Sequence, residues 1–242
     1  MPGTDKKRVA IIGAGLCGSL LAALLRDRFD VTVIEQGAKS RPLFDDIDCR
    51  AGDVTSSINR AEGLGGTTNY WHNALIELTA ADLRKAGIRS GSLEPYYSRA
   101  WRLFLSEEEL AECERLRDHN RRAVEQGQAE VAHMVLPHHR ANLWQLANAR
   151  YPGNPVDVVV GKALQIEPAT NTAPATVVVD GHAGQRRVVA DHVIVCAGGL
   201  ASPALLARSL GDGALLCHGY HDHPMAYIAK LKLRPDSRLK DV

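Results

Sequence analysis

The chain has 242 residues, 45% of them hydrophobic and 24% charged, which is the composition of a globular protein with a packed core. Lys and Arg (29) almost balance Asp and Glu (28), so the formal net charge of +1 gives no indication of binding to nucleic acid or an anionic membrane surface. The apolar stretch 9–25 is interrupted by three glycines and is too short to span a bilayer, so no membrane association is expected. Five scattered cysteines without a CxxC pair predict reduced thiols and a cytoplasmic location.

A β-α-β unit opens the chain. The apolar pattern predicts a buried parallel strand over RVAIIGAG, a helix over LCGSLLAALLRDRF and a second buried strand over DVTVIEQG. The unit is about thirty residues long, which is the length that the dinucleotide-binding fold requires.

Three glycines mark the turn between the first strand and the helix. Gly13 suits a tight turn, Gly15 lets the backbone approach a pyrophosphate, and Gly18 lets the helix pack against the strand. The N-terminus of the helix, with Leu16 and Cys17 in its first turn, offers N–H donors and a partial positive charge to phosphates. This spacing predicts a dinucleotide site.

An acidic residue ends the second predicted strand. Glu35 lies 20 residues beyond Gly15, followed by Gln36, at the position where a carboxylate accepts hydrogen bonds from ribose hydroxyls. An acid there disfavours a 2′-phosphate, which argues against NADP. FAD and NAD share this pattern, so the pattern alone does not separate them.

The middle of the chain, from 79 to 154, is predicted to be a helical insert that ends at a Pro- and Gly-containing stretch. Charges of alternating sign from Glu107 to Arg122 favour a solvated helical face over a ligand site. The insert also carries aromatic residues at helical spacing, for which core packing is favoured over a substrate wall. These residues are Tyr96, Tyr97, Trp101 and Trp144.

Short β-like segments follow the insert. They are predicted over VDVVVGKALQIEP, ATVVVDG and RRVVADHVIVCAGG, with a hairpin turn at Asp180-Gly181 and Gly184. A helix is predicted over SPALLARSLG, with Gly211 as its stop.

The third of these segments ends in Ala197-Gly198-Gly199, which predicts a second close approach of backbone to a ligand. A domain that binds only NAD has no evident need for this second close approach. A flavin nucleotide that lies extended across the sheet does need it, because its whole length must be contacted by backbone. Further on, MAYIAKLKLRP alternates apolar and basic residues, as a half-exposed strand does.

The ordered set of motifs resembles the glucose-methanol-choline (GMC) oxidoreductases, FAD enzymes that oxidise alcohols. The matching segments span most of residues 8–225. They are VAIIGAGLCGSLLAALL with Glu35, GLGGTTNYWHNAL, LEPYYSRAW, VIVCAGGLASPALLARS and HDHP.

This resemblance implies an α/β fold: a Rossmann-like FAD-binding domain, built as a parallel sheet with helices plus a small β-meander, with a helical insert and an incomplete substrate domain. It places the FAD-binding domain at residues 1–78 and 155–224, the insert or cap at 79–154, and the start of the substrate-domain sheet at 225–242. Backbone groups around Val159 would meet the adenine.

The resemblance also implies which other residues contact the cofactor. The loop implied to lie along the flavin and pyrophosphate consists of Gly65, Gly66, Thr67, Thr68, Asn69, Tyr70, Trp71, His72 and Asn73. The later contacts implied are Ala197, Gly198, Ser202, Asp222 and His223.

Within the family the sequence is most similar to the pyranose-oxidase-like branch. Tyr70 occupies the position of a histidine that can be bonded covalently to FAD in that branch. The resemblance therefore implies non-covalent FAD, with His72 as an out-of-register exception.

The cluster His218, His221 and His223 with Asp222 raises the alternative of a zinc site. Alternate residues of a strand point to opposite faces, so Asp222 would not share a face with His221 and His223. No metal site is therefore predicted, and the resemblance makes these residues a turn near the flavin.

In GMC enzymes a histidine near the C-terminus takes the hydroxyl proton while hydride passes to flavin N5. No residue of this sequence matches that catalytic histidine, which leaves three explanations. A second polypeptide carries the substrate half, the chain is a fragment, or the chain is a smaller flavoprotein with a different function. Strand edges left unpaired favour the first. We therefore expect the FAD-binding part of an enzyme that oxidises an alcohol or sugar, active with a complementary polypeptide. The alternative is a non-catalytic nucleotide-binding scaffold or regulatory subunit.

Overall fold

The structure is a computed structural model that describes residues 6–43, 60–89, 91–126, 134–135, 137 and 142–211. Asp222, His223 and the rest of the histidine cluster lie outside the described residues, as do the segment 225–242 and its predicted strand. No helix in the described ranges is both long enough and apolar enough to cross a membrane.

The described chain alternates strands and helices. The strands are β1 (Arg8–Ile12), β2 (Asp30–Glu35), β3 (Arg41–Pro42), β4 (Ala61–Glu62), β5 (Leu75–Ile76), β6 (Met134–Val135), β7 (Asp157–Val160), β8 (Lys162–Glu167), β9 (Ala175–Gly181), β10 (Gly184–Ala190) and β11 (His192–Val195). The helices are α1 (Leu16–Leu25), α2 (Ala80–Lys85), α3 (Glu94–Phe104), α4 (Glu107–Glu125), α5 (Leu143–Arg150) and α6 (Gly198–Leu210), with a short 3-10 helix at Gly66–Asn69.

Four parallel strands form the central sheet in the order β11-β1-β2-β7. The apolar runs predicted to be buried strands form β1 and β2, and Ile12 pairs with Ile34 on one side and Val195 on the other. Strand order reverses direction at β1, which creates a crevice at the carboxyl ends of the strands, where ligands of such folds bind. The predicted Rossmann-like α/β fold is confirmed.

The two faces of the sheet are covered by different layers, because successive side chains of a strand point to opposite faces. Ile11 and Val33 point toward α1 and pack with Ala22. Ile12 and Ile34 point the other way and pack against the second sheet and α6. The result is a three-layer unit with a buried apolar core on both sides of the parallel sheet.

The second sheet is the predicted β-meander, with three antiparallel strands in the order β10-β9-β8. Its hairpin turns where the sequence predicts, since Gly184 pairs with Gly181 across the turn. Helix α6 packs against this meander, and its C-terminus is capped by Gly211 in the left-handed conformation, at φ 76°. The predicted helix stop is therefore confirmed.

Helix α5 packs against α1, although the sequence assigns residues 142–154 to the helical insert. Arg26, which directly follows α1, donates to Asn148 Oδ1 at 2.6 Å and to the carbonyl of Tyr151. Leu143 and Ala147 of α5 are fully buried. The predicted domain boundaries stay a prediction, but α5 is joined to the Rossmann-like unit by these contacts.

Helices α3 and α4 form a smaller cluster around Trp101, Leu105 and Cys113. The predicted core packing of Trp101 is confirmed, because it is 5% exposed, whereas the same prediction for Tyr96 is wrong, because it is 63% exposed. Both residues lie on α3, and helical spacing does not say which face of a helix is covered.

On α4, the predicted solvated face is wrong at Arg117. This side chain is 20% exposed and pairs with Glu94 at 2.6 Å.

Candidate functional site

Three loops converge at the carboxyl edge of the parallel sheet: the glycine turn after β1, the loop before the 3-10 helix, and the segment after β11. Gly65 N donates to Ala14 O at 2.8 Å, and a Cβ on Gly66 would lie 2.9 Å from Gly15 Cα. A Cβ on Gly13 would lie 2.5 Å from the carbonyl oxygen of Cys196. The glycine-containing segments that the sequence selects are therefore in direct contact.

The three glycines of the first turn have different surroundings. Gly13 has a φ of +96°, and a side chain on Gly18 would collide with the Gly13 carbonyl oxygen, so both positions are set by the packing of strand, turn and helix. Gly15 has a φ of −72°, and a Cβ there would meet no atom within 4 Å. Gly15 is thus the glycine of this turn that faces open space.

Two helix N-termini meet this edge, those of α1 and α6. Neither has a side-chain cap, and neither has an acidic residue in its first turn. Leu16 and Cys17 are exposed at the start of α1, and Gly198 at the start of α6 is exposed with a φ of +81°. The first N–H groups of a helix have no intrahelical acceptor and carry partial positive charge, so this edge is suited to an anion such as a pyrophosphate.

The carboxylate of Glu35 is buried, with 6% exposure, and binds backbone amides from three segments. Oε2 accepts from Ala14 N at 2.8 Å, while Oε1 accepts from Gly63 N at 2.8 Å and from Gly37 N at 3.2 Å. A carboxylate oxygen can accept two hydrogen bonds, so one acceptor position is left at Oε2 for a ribose hydroxyl. The ribose role stays a prediction, but the structural role of Glu35 was missed by sequence reasoning.

The polar side chains of Thr68 and Asn69 form hydrogen bonds within their own loop and to the start of α5. Thr68 is buried, and its Oγ1 donates to Gly65 O at 2.6 Å and accepts from Leu143 N at 3.0 Å. Asn69 Nδ2 donates to the carbonyls of Leu64 and Gly66, at 3.1 and 2.9 Å. Of the two predicted threonines, Thr67 is the one exposed.

The second half of the loop packs on other segments. Tyr70 accepts a hydrogen bond from Ser40 Oγ at 3.0 Å, and Trp71 stacks edge-on against Phe104 with ring centroids 5.6 Å apart. His72 is exposed. Asn73 is buried, with 1% exposure, and has a φ of 66°, which is unusual for a residue with a side chain. The predicted flavin contacts of these residues stay predictions.

Asn142 is a residue of this region that sequence reasoning missed. It caps α5 by accepting from Gln145 N at 3.0 Å, and its Nδ2 donates to Leu64 O at 2.9 Å and Asn69 Oδ1 at 2.6 Å. A Cβ on Gly65 would lie 2.5 Å from that same Nδ2. The signal available in the sequence was an Asn directly before an apolar helical segment, which indicates a helix cap but not a loop contact.

The other predicted contacts lie around the same edge. Val159 is buried between the two sheets, so only its backbone can face a ligand, while Val158 beside it is 38% exposed. Ser202 is half-buried in α6, four residues after Gly198. Burial, with a smaller contribution from nearby Cys17, raises the pKa of the Cys196 thiol.

A groove of about 790 Å³ lies elsewhere, at the amino ends of the parallel strands. Its lining includes Lys7, Arg8 and Asp191, of which the last two form an ion pair at 2.9 Å. The glycine turn and the uncapped helix N-termini are at the opposite edge. The groove therefore does not coincide with the edge at which the sequence predicts a dinucleotide.

Comparison with known proteins supports the same class of fold. Residues 11–40 match the family described as NAD(P)-binding Rossmann-like domain. The structure is similar to that of pyridoxine 4-oxidase from Mesorbium loti, with a TM-score of 0.53 and 19% sequence identity, covering 84% of this chain and 52% of that chain. No curated protein matches the sequence.

The protein contains a dinucleotide-binding Rossmann-like domain. The described chain adds an antiparallel β-meander and a set of further helices to that domain. It spans about half of the length of the pyridoxine 4-oxidase chain that it resembles.

Proposed function

We propose that this chain is the FAD-binding part of a GMC-type oxidoreductase that oxidises an alcohol or sugar hydroxyl. The observation that carries the proposal is the convergence of three glycine-containing loops and two uncapped helix N-termini at one sheet edge, with Gly15 facing open space. Such an edge suits an extended dinucleotide whose pyrophosphate lies over the start of α1.

FAD is proposed over NAD because of the second and third loops. A single glycine turn suffices for a pyrophosphate, but here Gly66 packs directly on Gly15, and the segment at Ala197 packs on Gly13. Both loops add backbone beside the turn, which a longer nucleotide would contact. The buried carboxylate of Glu35 disfavours a nucleotide with a 2′-phosphate.

When bound, FAD would supply a hydride acceptor at flavin N5. The residues of the chain would hold the cofactor: N–H groups at Leu16 and Cys17 would bind phosphate oxygens, and Glu35 would accept from a ribose hydroxyl. With Tyr70 at the position implied for a flavin-bonding histidine, the attachment is proposed to be non-covalent.

The base that takes the hydroxyl proton is proposed to come from a complementary polypeptide that carries the substrate half. Turnover of alcohols by this chain alone would contradict it. Co-purification with a second polypeptide that restores turnover is the expected result.

Titration of the purified chain with FAD, followed by visible absorption and flavin fluorescence, tests the cofactor. Gly15→Ala is the informative variant because Ala is compatible with the φ of −72° and the open space there, so the fold is retained while the methyl group blocks the pyrophosphate. We expect its affinity for FAD to fall at least about tenfold, which corresponds to about 1.4 kcal/mol.

Gly211→Ala is the matched control. It strains a left-handed residue at φ 76°, and it lies at the far end of α6, about 20 Å from the site for a helix of 13 residues. This variant should lose stability and keep FAD affinity, the reverse of Gly15→Ala. Absence of FAD binding by the wild-type chain, both alone and with its complement, would overturn the proposal.

A second candidate is a nucleotide-binding subunit without chemistry of its own. The match of residues 11–40 to an NAD(P)-binding domain favours it. Tight binding of NAD⁺ together with weak binding of FAD, and no turnover with any complementary polypeptide, would support this candidate over the first.

A further inference from the structure

We propose that Asn142 is a positioning residue that fixes the 64–69 loop at the flavin end of the site, and that it controls the affinity for the flavin half of the cofactor. This inference rests on the proposed function, since it deepens the assignment of that same site. Asn142 lies in neither glycine turn, and its sequence position is 73 residues beyond Asn69.

The side chain of Asn142 uses both ends of its amide. Oδ1 accepts from Gln145 N and so fixes the amide relative to α5, while Nδ2 donates to Leu64 O at 2.9 Å and to Asn69 Oδ1 at 2.6 Å. Among the side chains that cap helices well, only Asn offers an acceptor for the cap together with two donors. The cap therefore orients the donors toward the loop.

The loop lies directly on this amide. Gly65 has a φ of +93°, and a Cβ on it would overlap Asn142 at 2.5 Å from Nδ2. Next to it, Leu143 N donates to Thr68 Oγ1 at 3.0 Å, so the start of α5 holds the loop at three points.

The helix that Asn142 caps is packed against α1. Leu143 is 1% exposed, and Ala147 is fully buried against the unit that carries α1. Asn148, the next residue of α5, accepts from Arg26 at the C-terminal end of α1, at 2.6 Å. The position of Asn142 is thus set by the same helix that begins at the glycine turn.

The loop has separate anchors at its two ends. Gly63 N is bound by Glu35, at the side of the site where the ribose of the adenosine half is predicted. The section from Leu64 to Asn69 is bound by Asn142, and it continues toward the segment implied to border the flavin. Its backbone bond from Gly65 N to Ala14 O, at 2.8 Å, does not involve Asn142, so the side of the loop next to the first turn keeps this anchor. Loss of Asn142 should therefore disturb one half of the site and leave the other half in place.

The test compares the dissociation constants of FAD and ADP for the purified chain, by calorimetry or fluorescence. Asn142→Asp keeps an oxygen that can cap α5 but turns a second oxygen toward the carbonyl of Leu64 and toward Asn69 Oδ1. We expect FAD affinity to fall at least about tenfold, while ADP affinity changes by less than about twofold.

Thr79→Ala is the matched control, because the Thr79 side chain caps a different helix, α2, where it accepts from Asp82 N at 3.2 Å and donates to Asp82 Oδ2 at 2.7 Å. It should lower stability without changing either affinity. Thr68→Val is a second variant that removes the acceptor for Leu143 N from the loop side, and it should reproduce the selective loss of FAD affinity even if Asn142→Asp fails to fold.

Equal losses of FAD and ADP affinity in the Asn142 and Thr68 variants would overturn the positioning role, since both halves would then depend on general stability. Unchanged FAD affinity in both would overturn it as well. A wild-type chain that binds ADP but not FAD would instead overturn the proposed function, and this inference with it. The two failures are therefore distinguished by the wild-type measurement.

Discussion

Glu35→Gln should show how far a single buried carboxylate holds the site together. The substitution is nearly isosteric, so it leaves no cavity. A carboxylate accepts at both oxygens, but an amide accepts at only one. The best orientation keeps the bonds from Gly37 and Gly63 at Oε1 and turns an NH₂ group toward Ala14 N, which now donates to Oε2 at 2.8 Å.

The size of the effect follows from these three bonds. A hydrogen bond to a charged group contributes about 1.5–3 kcal/mol, and a buried donor left without an acceptor costs about 1–3 kcal/mol. The two figures partly describe the same loss and are not added. The two bonds that are kept also weaken, because their acceptor becomes neutral. We expect the free energy of unfolding to fall by about 2–4 kcal/mol.

Urea unfolding at neutral pH, followed by tryptophan fluorescence, measures this change. The slope of the free energy against urea should stay the same, because the substitution does not change the amount of surface that unfolding exposes. Glu167→Gln is the control, since Glu167 pairs with Arg187 on the exposed face of the meander and its loss should hardly move the midpoint. A decrease below about 1 kcal/mol for Glu35→Gln, or an equal decrease in the control, would refute the role assigned to the three bonds.

Two further predictions concern pH. Hydrogen bonds from the side chain and backbone of Arg8 lower the pKa of Asp191 from 3.8 to about 2, so their stabilisation is present above pH 3.8 and lost as pH falls through about 2. Unfolding curves of wild type and Asp191→Asn should therefore differ at neutral pH and converge near pH 2; a constant difference would contradict the linkage. Burial raises the pKa of Glu77 above 4.5, with Arg117 partly opposing the shift. Because the folded state then holds the proton more tightly, stability falls as pH rises from 4.5 through the raised pKa, and Glu77→Gln should abolish that slope in urea midpoints.

The parts of the fold that the sequence predicts are those with local signals. Continuous apolar runs predict β1 and β2, and the turn residues Asp180-Gly181 predict the hairpin between β9 and β10. The stop of α6 at Gly211 follows from the need for a left-handed residue at a helix end. Each of these features depends on a few neighbouring residues, so a single sequence is sufficient to find it.

The features that the sequence does not predict depend on contacts between distant segments. Tyr96 and Trp101 share a helix and an aromatic side chain, yet one is 63% and the other 5% exposed, because the elements that cover α3 decide the difference. Asn142 carries a visible signal for a helix cap, but its bond to Asn69 joins positions 73 residues apart. No periodicity in the sequence reports such a bond.

The bonds of Glu35 and Asn142 together explain how the site can be ordered before a ligand arrives. Glu35 joins Ala14 of the first turn to Gly63 of the second loop, and Asn142 fixes the next residues of that loop to α5. Ordering a loop on binding costs free energy that must come from the contacts with the ligand. Because protein groups already satisfy these loop amides and carbonyls, a nucleotide would meet a backbone with little freedom left to lose. The glycines permit the close approach, but the distant polar side chains hold it in place.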